Sequence, residues 1–239
     1  MASDSRGVRV SEVLYRIGDP VEPLIVPTPS RITLPGRTVD LAPVDPDAHA
    51  SALFEETQGR SADPHMWDYM GYGPFSDLPH FTQALRGFAA TDDPLWFACI
   101  DAPTGRAIGM GAYLRIDPTN RVIEIGHLCF GSTMQRATTA TETIFLLLRH
   151  AFELGYRRVE WKCNDLNERS KRAALRFGFT PEGRFRNHMI TKGRSRDTAW
   201  FSIIDSEWPA IEQAFEAWLS VDNFEANGRQ RQPLITRSR

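Results

Sequence analysis

The sequence predicts a single α/β domain with a mixed, mostly antiparallel central sheet flanked by helices. Three strand patterns follow one another at 95–101, 107–116 and 121–130, separated by short turns at 103–105 and 117–120. A long stretch of helical spacing comes next, with apolar residues at Ala137, Ala140, Ile144, Leu147, Leu148, Ala151 and Phe152 running up to Gly155. A strand, a second helix and a hairpin then follow, so an antiparallel meander is succeeded by the elements that must cover and extend it.

The elements can be justified in order. Residues 1–35 read as an N-terminal arm lying over the domain, with a short helix around 10–16. Pro20, Pro23, Pro27 and Pro29 keep that segment out of the interior of any sheet. A short strand at 38–43 precedes a helix that Asp45 or Asp47 can cap and that runs to about Gln58. Residues 61–79 place Trp67, Tyr69, Tyr72 and Phe75 among glycines and prolines; long ordered loops of this kind usually carry function. A helix over 78–89 leads into the meander. After the long helix, 159–163 is a strand, Asn167 can cap a helix ending at Phe177-Gly178, and 183–190 pairs with 198–204 across Lys192-Gly193. The domain proper is expected over 36–208, with 209–239 adding an amphipathic helix and a loose, Arg-containing tail.

Composition narrows the function. The chain has 239 residues, 41% of them hydrophobic, which is ample for one core. Its 28 basic and 30 acidic residues leave a net charge of -2, so no overall field favours a nucleic-acid backbone or an anionic membrane, and neither is expected as a partner. Cys99, Cys129 and Cys163 are far apart and form no C-x-x-C pair, which argues against a disulfide framework or a metal site. The longest apolar run, 95–100, is far short of the roughly 20 residues that span a bilayer. A cytoplasmic protein is expected, and nothing in the composition closes off a homodimer.

Two segments carry chemistry. The first is Ser132-Thr-Met-Gln-Arg-Ala-Thr-Thr-Ala-Thr-Glu142, between the last meander strand and the long helix. Thr139 with Glu142 three residues on reads as a capping box, which would start the helix near Thr139 and turn the amides of 135–140 outward. Free donors and a positive helix end attract phosphate, the alternative being an ordinary capped helix. The second is Asn167-Glu-Arg-Ser170, with Gly178-Phe179 eight residues beyond Ser170, then Glu182-Gly183 and Arg186.

Together these spacings resemble the C-terminal half of the GNAT acyl-CoA N-acyltransferases, in particular the branch similar to ribosomal-protein N-terminal acetyltransferases. In that superfamily the strand-to-helix loop reads Gln/Arg-x-x-Gly-x-Gly/Ala. Gln135-Arg-Ala-Thr-Thr-Ala140 fits the frame, with Thr138 where the first Gly is usual. A β-branched residue there resists φ > 0 and keeps a pyrophosphate at a distance. The resemblance covers roughly 36–208 and implies middle strands that splay apart around acetyl-CoA (coenzyme A). It implies that Gln135, Arg136, Ala137, Thr138, Thr139, Ala140 and Thr141 hold the pyrophosphate, and that the backbone of Leu128, Cys129 and Phe130 pairs with the pantetheine arm as an added strand. An N–H near Leu128 would face the thioester oxygen. Asn167 and Ser170 would lie across the splay, with Ser170 near the sulfur or protonating the departing thiolate and a helix cap as the alternative for both. Arg172, on one helix face with Arg169 and Arg176, would approach the 3′-phosphate, unless that face is simply solvated. Relatives often use a Tyr for the thiolate proton, but Ala173, Ala174 and Leu175 occupy that stretch.

Glu124 lies eleven residues before Gln135, an offset at which several superfamily members place a general base. An amine acceptor arrives as ammonium, with a reference pKa of about 10.4, and must lose a proton before it attacks. The alternative is an outward glutamate on a half-solvated strand. His127 falls on the opposite face of an ideal strand and would join Glu124 only across a bulge; it is kept as a substrate-side residue. Trp67, Tyr69 and Tyr72 would wall the acceptor side, or else form a hydrophobic cluster beneath the loop. The expected activity is transfer of an acetyl group to a primary amine by direct attack in a ternary complex, the acceptor being a peptide N-terminus or a small-molecule amine. The rival reading is a non-catalytic acyl-CoA-binding or regulatory module.

Overall fold

A computed structural model describes residues 18–236; the helix expected at 10–16 lies outside them. Seven strands, β1 (Val39–Pro43), β2 (Leu95–Asp101), β3 (Ala107–Asp117), β4 (Val122–Phe130), β5 (Arg158–Asn164), β6 (Thr180–Thr191) and β7 (Arg194–Ile204), form one sheet in the order β1-β2-β3-β4-β5-β7-β6. Every neighbouring pair is antiparallel except β4 and β5. Those two are joined by helix α3 (Thr138–Glu153), the crossover that parallel strands require. β6 and β7 meet at Lys192 (φ 50°) and Gly193 (φ 73°), two left-handed residues that match a tight hairpin turn to the twist of its strands.

Both faces of the sheet are buried near its centre, which is why β2 reads as an unbroken apolar run. Along β2, Leu95, Phe97 and Cys99 enter one core, while Trp96 and Ala98 enter another. The first core is covered by α3, by α4 (Glu168–Arg176) and by α5 (Trp208–Leu219), through residues such as Leu147, Ala174 and Phe215. The second is covered by α1 (Pro46–Gln58) and α2 (Leu78–Ala89), through Leu53, Phe81 and Leu85. The first face is called the helix face below, and the second the loop face, since residues 59–77 cross it between α1 and α2.

Two expectations fail here. No capping box starts α3: its N-cap is Ala137, without a side-chain hydrogen bond, and Thr139 is already buried inside the first turn. Glu142 accepts instead from the amides of Arg37 (2.7 Å) and Thr38 (2.8 Å) and from the Thr38 hydroxyl, because that sharp approach to β1 leaves its own donors unpaired. The described part of the tail, 220–236, is not loose either. Asn223 Nδ2 donates to the carbonyls of Trp218 (2.9 Å) and Gln232 (3.2 Å), its Oδ1 accepts from Gln232 N (2.9 Å), and Leu234 is buried in the helix-face core.

Candidate active site

The site begins where β4 and β5 part. They pair only over Val122↔Arg158, Ile123↔Val159 and Glu124↔Glu160. Beyond Glu124 each strand keeps only its outer neighbour, β3 or β7, and a cleft of about 1610 Å³ opens between them. Its lining comes from both faces: Thr141, Ala173, Phe177 and Trp218 from the helix side, Met66, Tyr69 and Met70 from the loop side. The slot therefore runs through the sheet.

A bulge sets what β4 shows to it. Ala112 faces Gly126 while Met110 faces Cys129, so Gly111 alone opposes His127 and Leu128. A Cβ on Gly111 would stand 2.9 Å from the end of the Leu128 side chain, so glycine here leaves room for the extra residue opposite. His127 takes φ 53° at this point. Before the bulge Ile123 and Ile125 face the helix side; after it Leu128 and Phe130 do, and Cys129 drops into the loop-side core. Glu124 and His127, on opposite faces of an ideal strand, are thereby brought to the same face.

Glu124 is buried. Lys162 Nζ lies 2.9 Å and Arg115 Nε 3.4 Å from its Oε2, yet that oxygen has no aligned hydrogen bond. Burial raises its pKa above the ordinary carboxylate value, against the pull of Lys162 and Arg115. Lys162 is itself 2.8 Å from Glu160 and 3.8 Å above the Trp200 ring. His127 stacks on Trp96 at 4.6 Å, and its Nδ1 lies 3.3 Å from the Tyr72 hydroxyl. Burial pushes the imidazole pKa down to about 4 and the Tyr72 phenol well above its usual value, so both are neutral near pH 7. A buried phenol with this one partner donates to it, which assigns the imidazole proton to Nε2.

On the helix side the left-handed residue of the loop is Arg136 (φ 63°), while Thr138 is the first residue of α3 with an ordinary helical backbone. The glycine missing at 138 is therefore not needed for conformation. The amides of 138–140 have no intrahelical acceptor and no side-chain cap. Gln135, Arg136, Ala137, Thr138, Ala140 and Thr141 all line the cleft. Among the described residues Arg136 and Arg172 have no ion-pair partner; Arg176 donates to Thr141 Oγ1 (3.0 Å) and stacks over Trp218. Just upstream, Glu56 accepts from Thr133 N (3.0 Å), Thr133 Oγ1 (2.8 Å) and Ser132 Oγ (3.1 Å).

The remaining expected residues divide. Leu128, Phe130, Tyr69, Asn167, Ser170 and Arg172 line the cleft. Asn167 Oδ1 accepts from Ser170 N (3.1 Å), the cap role, and Ser170 Oγ accepts from Trp161 Nε1 (3.0 Å), while its own proton has the Cys163 sulfur within hydrogen-bond reach. Tyr69 donates to Leu166 O (3.2 Å), and Asp63 pairs with Arg169, so the 59–77 loop is tied to the start of α4. Trp67 does not wall the cleft: it is buried against Tyr72 and Phe75, with Nε1 donating to Thr57 O (3.3 Å). Tyr72 is likewise part of that cluster and reaches the site only through His127. The side chains of Cys129 and Thr139 are buried away from the cleft, and burial pushes the Cys129 thiol up to about 12. Sequence reasoning missed Arg115, Lys162, Arg196 and the tail residues Phe224 and Arg229, all of which line the cleft. The alternation of Val159, Trp161 and Cys163 with Glu160 and Lys162 was the one signal that could have shown a charged face on a central strand.

Known proteins share this fold. The acetyltransferase (GNAT) domain family matches residues 39–180, more than half of the chain. The chain belongs to the GNAT acetyltransferase family. A crystal structure of a GCN5-related N-acetyltransferase from Brucella melitensis is 44% identical with a TM-score of 0.86, over 88% of this chain and 96% of that one. The uncharacterized N-acetyltransferase p20 of Bacillus licheniformis is 27% identical over 62% of this chain and 84% of its own length. A Bacillus subtilis protein named as a candidate ribosomal N-acetyltransferase, YdaF, is 30% identical over 44% of this chain and 57% of that one. GNAT acetyltransferases use acetyl-CoA, and the splayed, mostly antiparallel sheet found here is the fold of the family. No helix among the described residues is long and apolar enough to cross a membrane.

Proposed function

We propose that this GNAT acetyltransferase moves an acetyl group from acetyl-CoA to a primary amine by direct attack, with both molecules held in the slot at once. The acceptor is either a small-molecule amine or a peptide N-terminus. The observation that carries this reading is the division of the slot: anion-seeking groups on the helix side, a buried carboxylate on the loop side.

The residues present fit acetyl-CoA. The β4 backbone beyond Glu124 has lost its β5 partner, so Leu128 and Phe130 can pair with an extended amide-bearing arm. The amides of 138–140 and the unpaired Arg136 and Arg172 suit phosphates. When bound, acetyl-CoA supplies an activated thioester. The chain's own residues do the rest. Glu124, raised in basicity by burial, takes the ammonium proton directly or through a water, and Lys162 and Arg115 stabilise it once it has given that proton up again. Neutral His127 offers an N–H at Nε2 on the same face. Ser170, with its oxygen already accepting from Trp161, can give its proton on the helix side. Of the two reasons for a non-catalytic module, the conformational one, Thr138 in place of glycine, loses force because Arg136 takes the left-handed conformation instead, while the absence of a Tyr before Gly178 stands.

Release of free coenzyme A thiol from acetyl-CoA with a panel of amines tests the reading. Saturable, amine-dependent release is expected. Saturable coenzyme A binding without amine-dependent release from any member of the panel overturns it.

A further inference from the structure

We infer that the amine acceptor also carries an acidic group, a carboxylate or phosphate, and that Arg196 receives it. This rests on the acetyltransferase reading above and names the class of its acceptor.

Register places Arg196 on the loop face. Ala199, Phe201 and Ile203 of β7 enter the helix-side core, so Thr198, Trp200 and, two residues before Thr198, Arg196 point the other way. Glu124 and Lys162 share that face. Arg196 lines the cleft and lies within electrostatic reach of both Glu124 and Cys163, over the slot itself.

The other charges lining the cleft on that side are matched. Glu124 has Lys162 and Arg115, Lys162 also has Glu160, and Glu160 has Arg158, which in turn pairs with Glu182. In the loop above, Asp63 has Arg169 and Asp68 has His65. Arg196 has no ion-pair partner among the described residues, and its Nε is buried without a hydrogen bond. The orphaned Nε shows that the surrounding protein gives this half-buried guanidinium no acceptor, so its charge is left for a ligand acid to meet at the end that lines the cleft. Cofactor phosphates do not qualify, since on the proposed reading they lie on the opposite face with Arg136, Arg172 and Arg229, which have no ion-pair partner among the described residues.

The two requirements, an amine to be deprotonated by Glu124 and an acid to be gripped by Arg196, define one ligand. The fork of a guanidinium binds carboxylate or phosphate in two parallel hydrogen bonds and so orients as well as attracts. Met189, opposite Arg196 in the β6–β7 register, and Met66 and Met70 give the intervening wall an apolar character. A dianionic or monoanionic amine fits; a polycationic one meets Arg115, Lys162 and Arg196 together.

Matched acceptor pairs test this: short amino acids against their carboxamides, and phosphoethanolamine against ethanolamine. The acidic member of at least one pair is expected to have a KM about 10- to 100-fold lower, the two pairs separating carboxylate from phosphate. Arg196→Gln should raise the KM of that acidic member at least 10-fold more than that of its neutral partner, with kcat little changed and Arg196→Lys recovering part of the preference. Equal KM within both pairs, or an Arg196→Gln effect confined to kcat, overturns the inference. If no amine releases thiol, the acetyltransferase reading fails by itself. The same pairs are then compared by calorimetry with coenzyme A bound, where acid-selective affinity that depends on Arg196 upholds the inference and unselective affinity overturns it. Should Arg196→Gln not fold, the pairs measured on the unaltered protein and on Arg196→Lys decide.

Discussion

The two sides of the slot are built by different means. On the helix side the groups that would meet phosphates come mainly from two local segments, the turn into α3 and the first turns of α4, with Arg229 of the tail beside them, and most are backbone amides or exposed arginines. On the loop side Glu124, Lys162, Arg196 and Arg115 come from four strands, and only pairing register and a bulge bring them together. A local device tolerates substitution because the backbone supplies the chemistry; an assembled one depends on every strand keeping its place. The helix side should therefore respond to single changes in small steps, and the loop side in large ones.

The largest expected effect is at Glu124. Replacement by Gln keeps shape but removes the base, so turnover at neutral pH should fall by about 10² to 10⁴-fold with coenzyme A affinity nearly unchanged, and activity should recover as alkaline pH frees the amine. Steady-state rates and calorimetry on one preparation decide it, and inert Glu124→Gln would reduce the residue to part of a charge network.

Next is Thr138→Pro. Proline is accepted at the first helical position, so α3 should survive while one amide donor is lost. Coenzyme A affinity should drop by about 1–3 kcal/mol with acceptor KM retained, and unchanged affinity would remove the helix end from the binding site.

A smaller effect is expected from Arg172→Ala, a few-fold loss of coenzyme A affinity that shrinks further with added salt, since the side chain is exposed. A salt-independent loss would point to packing instead.

The smallest concerns stability. The His127 pKa is held near 4 in the fold against 6.5 unfolded. Between those values the unfolded chain binds a proton that the native state refuses, so stability is full above about pH 6.5 and declines as pH falls toward 4. His49 and His150 are shifted the same way by burial and share the slope. His127→Asn should flatten the pH dependence of Tm in that window, and an unaltered slope would mean the imidazole is protonated in the fold.

This asymmetry also governs how much could be read from the residues. Asn167 announced its cap and Lys192-Gly193 its hairpin, because both are decided within a few residues. The strands were legible for the same reason. Thr139 and Glu142 had capping-box spacing, but a tertiary contact with Arg37 and Thr38, some hundred residues away, claimed the carboxylate. Lys162 showed only its place on a charged strand face and Arg196 no sign at all, since nothing in one strand states which residues its neighbours will present. Trp67 and Tyr72 looked like a binding wall because an aromatic loop and a small core have the same composition; only the packing of Trp67 on Phe75 and Tyr72 separates them. Asn223, one polar residue in a polar tail, holds that tail through three hydrogen bonds.

Glu56 bears on where an anion can settle. Its carboxylate already fills the donors at Ser132 and Thr133, so the protein carries a resident anion in the first half of the loop before α3. On the proposed reading, a phosphate bound at this loop would be repelled from that half and would meet the amides of 138–140 instead. Specificity of placement would then come from occupancy: the Glu56 carboxylate would mark the boundary beyond which a second anion is admitted, without touching the ligand.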